Sequence, residues 1–309
     1  MNYIAAINAF DELNQLKPSN GIMLRASQTL EDTNNQRMLV QSLLLFPPET
    51  LADSRLHQLQ EIQTSFWLEQ IKSCNRHQLC VRLPDGPMES LLPSMPDEFE
   101  QLAAYMSCSN EALHERVQTL WTSHPDLSCY MIISNDILFE ALLRGLFSAA
   151  QQCGIEKLSI LLPLVSRCRE VQQQNMFVTR CAVDYDFSCD VGIEIATPRA
   201  ICFASALASY ADVIVFHVDE LCWLLYGGKA QRTDRHIYGF HETPFNEFDD
   251  IGIGTLMGVA IQQIRESNPD VRLCASGKYV LTEKGKQFCR ELGIHSLIET
   301  ADPSPSHHT

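Results

Sequence analysis

Apolar runs of strand length alternate along the chain with segments that have the spacing of amphipathic helices. Several runs are apolar without interruption, which is typical of parallel strands that are covered on both faces. Eight such runs separated by helices predict an α/β protein, a single closed (β/α)8 TIM barrel. The predicted strands are GIMLRAS (21–27), LCVRL (79–83), CYMIIS (129–134), LSILLPLV (158–165), VGIEIAT (191–197), DVIVFHV (212–218), VRLCAS (271–276) and HSLIE (295–299).

The segments between the strands fit one large domain. The stretch MNYIAAINAFDELNQLK (1–17) carries acidic residues and has no basic region, which predicts a first amphipathic helix rather than a signal peptide and a cytoplasmic location. Helices are expected near 36–45 and 138–152, and the Pro-rich stretch 84–96 predicts a loop at the barrel mouth. We therefore expect one domain over residues 1–300, followed by a disordered tail over 301–309.

Charge and composition restrict the classes of function. The 309 residues carry a formal charge of −15, with 45% hydrophobic and 20% charged residues. This balance argues against a nucleic-acid-binding surface, and no apolar run reaches the roughly 18 residues of a membrane span. Any anion site must therefore be local. The 12 cysteines include no CxxC pair, so we expect reduced, mostly buried thiols rather than a disulfide framework.

The polar residues that end apolar runs are the candidates for a functional site, because the reactive groups of such barrels sit at the carboxyl ends of the strands. Arginine suits the recognition of carboxylate or phosphate, since its planar guanidinium donates paired hydrogen bonds and keeps its charge. The alternative for each arginine is an ion pair with a structural carboxylate. The candidates are Arg25, Arg82, Glu194, Asp219, Glu220 and Cys274.

Three segments carry a resemblance to a known family. VGIEIATPRAICFASALASYADVIVFHVDEL (191–221) resembles the phosphoenolpyruvate (PEP)-utilising enzymes, especially pyruvate phosphate dikinase, in its strand, Pro-Arg-Ala turn, helix and acidic strand end. VRLPDGPMESLLP (81–93) resembles the family's Arg-Leu-Leu-Asp-Pro-Pro-Leu-His-Glu-Phe-Leu-Pro, and GIMLRASQTL (21–30) resembles its Leu-Cys-Arg-Thr-Glu-His. The similarity runs in order along nearly the whole chain and implies the family's PEP/pyruvate-binding TIM barrel.

The resemblance implies roles for several residues. Arg25 and Arg82 match arginines that help to hold PEP, and Asp85 matches the aspartate that follows the second of them. Tyr130 stands where the family has a substrate-facing arginine. Cys274 matches the cysteine that protonates the enolate of pyruvate, although a buried thiol also serves as an apolar core residue. These matches imply a small anionic ligand such as PEP or pyruvate.

The metal-binding positions of the family are altered in this sequence. The family's metal-binding glutamate corresponds to Ala196, and its Asn-Asp pair corresponds to Asp219-Glu220, which leaves Asp219 beside the ligand and a carboxylate at Glu220. Two arrangements stay open. A weakly held, displaced Mg2+ ion is bound by Glu194 and Glu220, or Glu194 is a buried carboxylate paired with an arginine or lysine of the barrel. No histidine, His217 included, has zinc-ligand spacing.

Three functions are compatible with these observations. The chain is a degenerate PEP-type barrel that binds a small anionic metabolite or a partner, an active phosphotransferase or lyase that takes phosphate from a separate phosphohistidine protein, or a scaffold that pairs as a homodimer, as the family's barrels do. The family's ATP-grasp and phosphohistidine domains have no counterpart in these 309 residues. We therefore do not expect a complete dikinase cycle from this chain alone.

Overall fold

Eight parallel strands close into a barrel in the computed structural model of the protein. The structure describes residues 2–7, 21–26, 30, 33–48, 53–73, 78–124, 135–155, 157–225 and 248–300. Each strand pairs with the next along the chain, and the last pairs with the first, which confirms the predicted (β/α)8 class. The strands are β1 (Asn2–Ile7), β2 (Gly21–Arg25), β3 (Gln78–Arg82), β4 (Lys157–Leu162), β5 (Ser188–Ile195), β6 (Val213–His217), β7 (Arg272–Ser276) and β8 (Ser296–Thr300).

The first strand lies where the pattern predicted a helix. The helix prediction for 1–17 is wrong over Asn2–Ile7, and the rest of that range lies outside the described residues. Ile4 pairs with Gly21 on one side and with Ile298 on the other. Hydrogen bonding to two neighbouring strands outweighs the weak helical preference of the alanines in this segment, because local propensity is readily overridden by tertiary pairing.

One predicted strand is not among the eight. The segment CYMIIS (129–134) lies outside the described residues, and β3 pairs directly with β4, with Cys80 opposite Ser159 and Arg82 opposite Leu161. Each of the other seven predicted runs overlaps an observed strand. The Pro-rich stretch 84–96 contains a 3-10 turn over Met88–Leu91. The predicted tail over 301–309 lies outside the described residues.

The helices surround the barrel and include the two that the sequence predicted near 36–45 and 138–152. None of the described helices is both long and apolar enough to cross a membrane. The α-helices are α1 (Asn34–Leu45), α2 (Ser54–Ser73), α3 (Pro96–Met106), α4 (Asn110–Ser123), α5 (Asp136–Gln152), α6 (Cys168–Val183), α7 (Pro198–Cys202), α8 (Ala204–Ala208), α9 (Val218–Leu225), α10 (Thr255–Ser267) and α11 (Glu283–Glu291).

The hydrophobic side chains form three clusters. The largest lies between the strands and the helices that cover them, and a second, built on α1, α3 and α4, packs outside the barrel. The third fills the interior of the barrel and consists of Met23, Leu161, Val215, Cys274 and Ile298. This interior cluster fixes which strand face points inward, because alternate residues of a strand share a face.

Candidate ligand-binding site at the barrel mouth

The carboxyl ends of the eight strands, here called the mouth, bring two predicted arginines together. Arg25 ends β2 and Arg82 ends β3, and the two residues are partners in the register of this strand pair. Two residues that are opposite each other in neighbouring strands lie about 5 Å apart. The side chain of Arg25, like all of Tyr130, lies outside what the structure describes.

The guanidinium of Arg82 is held by two carboxylates. Its Nε donates to Oε1 of Glu194 over 3.0 Å, and its Nη2 donates to Oε2 of Glu194 over 2.7 Å and to Oδ2 of Asp85 over 2.8 Å. Arg82 is 6% exposed and Glu194 is 1% exposed. The two oxygens of Glu194 thus form a bidentate pair with Arg82, and of the two arrangements left open for Glu194 the structure has the pairing with a barrel arginine.

This pairing sets the ionisation of both groups. Burial would raise the pKa of Glu194, but the positive charge of Arg82, with a contribution from His217, holds that pKa below its usual value. Burial would likewise lower the pKa of Arg82, but the charges of Glu194 and Asp85 raise it. Both groups are therefore charged throughout the physiological range, and the positive charge of Arg82 is matched locally by two negative ones.

The end of β6 supplies a histidine and the acidic pair. Nδ1 of His217 accepts a hydrogen bond from the backbone N–H of Glu220 over 3.3 Å. Burial raises the pKa of Glu220, and His217 opposes that rise. Electrostatic interactions link Glu220 to Glu194, Asp85 and Arg82 as well, so these side chains share one site.

Asp219 has a structural role in the loop after β7. Its Oδ2 accepts from the backbone N–H of Lys278 over 2.9 Å, and its Oδ1 accepts from that of Tyr279 over 3.4 Å. Gly277 makes this contact possible: it has φ +114°, and a Cβ at this position would lie 2.5 Å from Oδ1 of Asp219. The prediction that Asp219 contacts a ligand stays a prediction, since both of its carboxylate oxygens are already engaged.

Cys274 lies below the mouth, within the apolar interior of the barrel. It packs with Met23, Leu161, Val215 and Ile298. Burial raises the pKa of its thiol to about 11. The group is therefore a neutral thiol that packs against apolar side chains and interacts with the hydroxyl of Ser296, an environment that suits a core residue. A thiol in this state holds its proton firmly, so its matching to a catalytic proton donor remains a prediction.

Two further polar side chains reach the mouth by strand alternation. Val215 and Cys274 point into the barrel, so His217 and Ser276, two residues further along their strands, share that inward face. His217 and Ser276 are also register partners. The hydroxyl Oγ of Ser276 is buried and has no hydrogen-bond partner among the described residues. The sequence analysis did not include Ser276 among the site residues and described His217 only as a histidine without zinc-ligand spacing; counting two residues from Val215 and Cys274 places both on the inward strand faces.

The side chains at this mouth do not fit the family's magnesium site. Ala196, which stands at the family's metal-binding glutamate, is fully buried and offers no ligand atom. Both oxygens of Glu194 accept from Arg82. Among the described residues, no group of three His, Cys, Asp or Glu side chains is arranged to hold a metal ion. Magnesium prefers several oxygen ligands in octahedral geometry, which Glu220 alone does not supply.

The chain belongs to the PEP-utilising enzyme family. The model of its PEP-binding domain matches residues 49–303, a range that contains β3 to β8 and the whole Arg82–Glu194 pair. Among curated proteins, the chain is 24% identical over 281 residues to a pyruvate, phosphate dikinase of Rickettsia prowazekii, covering 84% of this chain and 32% of that protein. It is 26% identical over 278 residues to the pyruvate, phosphate dikinase of Treponema pallidum, covering 77% and 30% respectively. The chain thus spans about a third of the length of these relatives.

Solved structures with a similar course of the chain have much lower sequence identity. A citrate lyase from Burkholderia xenovorans matches with a TM-score of 0.47 and 11% identity, covering 98% of this chain and 74% of that one. A pyruvate kinase from Pyrobaculum aerophilum matches with a TM-score of 0.45 and 10% identity, covering 97% and 66%.

Proposed function

We propose that this chain is a divergent PEP-binding-type barrel that binds a small anionic metabolite at its mouth and has lost the magnesium-dependent phosphoryl chemistry of the dikinases it resembles. The observation that carries the proposal is the pairing of Arg82 with Glu194 beside Ala196. Ala196, at the family's metal-binding position, has no side-chain ligand atom. The buried carboxylate of Glu194 is already paired with the guanidinium of Arg82.

Electrostatics disfavours a displaced metal ion at this mouth. A magnesium ion bound by Glu194 would need oxygen atoms that now accept from Arg82 at 3.0 and 2.7 Å. Moving Arg82 away would leave a buried guanidinium with only Asp85 as a partner, and an uncompensated buried charge is costly. The stable arrangement of this mouth is therefore the ion pair, and Glu220 would be left as a single carboxylate.

The geometry of Arg82 favours an anion as the ligand. The hydrogen bonds of Arg82 to Glu194 and Asp85 use Nε and Nη2, so the N–H groups of Nη1 have no partner among the described residues. A guanidinium that is fixed on two sides is preorganised to donate its remaining hydrogen bonds to a carboxylate. The register partner of Arg82 is Arg25, which adds a second positive group at the same strand ends.

Calorimetry tests the proposal directly. PEP, pyruvate and oxalate are titrated into the protein, once in EDTA and once in magnesium. We expect at least one of them to bind with millimolar to micromolar affinity, and the affinity to be the same in both buffers. Arg82→Lys keeps the positive charge but loses the planar guanidinium that donates paired hydrogen bonds, and should weaken binding about tenfold or more. Arg199→Lys, on α7 and stacked over Phe203, is the matched control.

Three results would overturn the proposal. Affinity that depends strongly on magnesium would restore a metal site at this mouth. Phosphoryl transfer to pyruvate from an added phosphohistidine protein would make the chain an active transferase. An absence of binding by all three anions would leave the barrel as a scaffold for a protein partner.

A further inference from the structure

Two hydrogen-bonding side chains occupy neighbouring positions on the inner face of the mouth. His217 ends β6 and Ser276 ends β7, and the two are register partners. Ala196 follows β5, directly after Ile195, whose register partner is Phe216. Ala196 is therefore level with His217, and its fully buried side chain brings no polar or charged group next to the two hydrogen-bonding side chains.

The hydroxyl of Ser276 is the more informative of the two groups. Ser276 is 5% exposed, and in the part of the chain that the structure describes its Oγ has no hydrogen-bond partner. Most buried polar atoms in folded proteins are hydrogen-bonded, because an unsatisfied group loses its bonds to water without replacement. A buried hydroxyl that is left unsatisfied at the ligand-binding end of a barrel is explained if a ligand completes its hydrogen bonding.

His217 offers a second donor next to this hydroxyl. Its Nδ1 accepts from the backbone N–H of Glu220, so the neutral imidazole carries its proton on Nε2. No described residue accepts a hydrogen bond from that Nε2–H. The backbone contact fixes both the tautomer and the ring orientation, as is usual for imidazoles that act through their other nitrogen.

We propose that Ser276 and His217 together bind one oxygen of a small monoanionic carboxylate beside Ala196. The ligand is then held by the hydrogen-bond donors of Ser276 and His217 and by Nη1 of Arg82, and needs no metal ion. This inference rests on the proposed function and adds two recognition residues and a ligand class to it.

The charges of the mouth determine which anions are accepted. Arg82, the register partner of Arg25, faces two negative partners, Glu194 and Asp85, and Glu220 lies close enough to interact with all three. A phosphate ester with two or three negative charges would be repelled by these carboxylates unless a metal ion shielded them. A ligand with a single carboxylate can accept hydrogen bonds from Nη1 of Arg82 while being repelled less strongly by these carboxylates. Because Oγ of Ser276 is out of contact with solvent, a ligand that reaches it must be small and must displace part of the mouth.

The experiment compares anions of different charge on the intact protein in EDTA. Acetate, glycolate and pyruvate are the monoanions, and oxalate and PEP are the multiply charged anions. We expect at least one monoanion to bind tenfold or more tightly than PEP. Ser276→Ala and His217→Leu should each lower that affinity about tenfold, the loss of one hydrogen bond to a charged group, whereas His217→Gln, which keeps a donor near the position of Nε2, should lose less.

The control is Ser159→Ala. Ser159 is also a buried barrel serine, but it lies at the other end of the interior, opposite Cys80 and Asp190. This variant should bind like the wild type, and thermal unfolding of each variant shows that the barrel is intact.

The outcomes separate this inference from the function on which it rests. Equal binding by wild type and Ser276→Ala, or tighter binding of PEP than of every monoanion, would overturn the role of Ser276 and the ligand class while the anion-binding function stands. An absence of binding by all five anions would overturn both. Reduced monoanion binding in Ser276→Ala and His217→Leu, with Ser159→Ala unchanged, supports both.

Discussion

Arg82 and Glu194 face each other across the inside of the barrel, joined by two hydrogen bonds of 3.0 and 2.7 Å. Arg82 ends β3 and Glu194 lies on β5, so the pair spans the strand between them and ties together two strands that share no backbone hydrogen bonds. An arginine that the sequence assigned to ligand binding is thus also a structural element of the barrel.

The stability of the barrel should depend on both members of this pair. Glu194→Leu leaves the buried guanidinium of Arg82 with Asp85 alone, and should lower the free energy of unfolding by about 3–5 kcal/mol. Arg82→Met should lower the free energy of unfolding by a similar amount, because it leaves the buried carboxylate of Glu194 without its cationic partner. The double variant should recover much of the loss, since apolar residues of similar size often replace buried ion pairs without penalty. Denaturant unfolding of all four proteins measures the coupling.

A second ion pair serves as the comparison. Nη2 of Arg272 donates to Oδ2 of Asp190 over 2.6 Å at the opposite end of the barrel interior, where the side chain of Arg272 is 41% exposed. Arg272→Met should cost no more than about 1 kcal/mol, because exposed ion pairs contribute little. Equal losses at the two pairs would contradict the account of Arg82 as a buried charge.

Glu220 should make the protein less stable as the pH rises. Burial raises the pKa of Glu220 in the folded protein above the ordinary carboxyl value of 4.5. Between the two values the folded state binds more protons than the unfolded state, so the free energy of unfolding falls as the pH increases through this window. Glu220→Gln should therefore be more stable than the wild type at neutral pH and indistinguishable from it at pH 4. Unfolding followed at several pH values measures the difference, with the exposed Glu61→Gln of α2 as the control.

The loop after β7 should not tolerate a side chain at Gly277. Gly277→Ala forces a Cβ to within 2.5 Å of Oδ1 of Asp219 at a φ of +114°, and should destabilise the protein by more than about 1 kcal/mol. Gly154 also has a positive φ, +67°, but a Cβ there would meet no atom within 4 Å. In a thermal unfolding assay, Gly154→Ala thus measures the cost of placing an alanine at a positive φ, without a steric contact. If the two variants cost the same, the contact with Asp219 is not responsible.

A carboxylate at position 196 should create magnesium affinity. Ala196→Glu places an acidic group level with His217 and near Glu220, and should give measurable binding of Mg2+ or of the paramagnetic probe Mn2+. Ala196→Gln has the same size without the charge and should not. Magnesium binding by the unmodified chain that equals that of Ala196→Glu would show that a metal site already exists elsewhere at the mouth.

The unmodified chain should not interconvert PEP and pyruvate in the presence of ATP, phosphate and magnesium. The family's metal glutamate is Ala196, one of its substrate arginines is Tyr130, and the Glu-His pair after its cysteine is Ser276-Gly277. Each lost electrostatic contact typically costs about 10²–10³ in rate, so two losses that are only partly additive reduce turnover below detection. A coupled assay for pyruvate formation checks this, and a steady magnesium-dependent rate would refute it.

The sequence predicted the class of fold better than it predicted each strand. Continuous apolar runs such as LSILLPLV identify buried parallel strands because their pattern comes from burial on both faces. The short segment Asn2–Ile7 has the apolar run YIAAI, but it was taken as the start of an amphipathic helix, although it forms β1. Its conformation depends on pairing with Gly21 and Ile298, which are remote along the chain.

The functional site, like β1, depends on contacts between residues that are far apart in the sequence. Strand-end positions identified Arg82 and Glu194 as candidates, and both lie at the mouth. Their partnership could not be read from the sequence, because 112 residues separate them and the hydrogen bonds depend on the closed barrel. Ser276 was overlooked because a serine after an apolar strand is common, and only its burial without a partner makes it informative.

The ring of strands closes between β1 and β8, with Asn2 opposite Ser296 and Ala6 opposite Thr300. On the ribosome, β1 therefore emerges long before the strand that completes its hydrogen bonding, and it remains an unpaired edge on that side until residues 296–300 have been synthesised. Aggregation during synthesis should depend on this waiting period, and a rearranged gene that encodes β8 directly before β1 would shorten it.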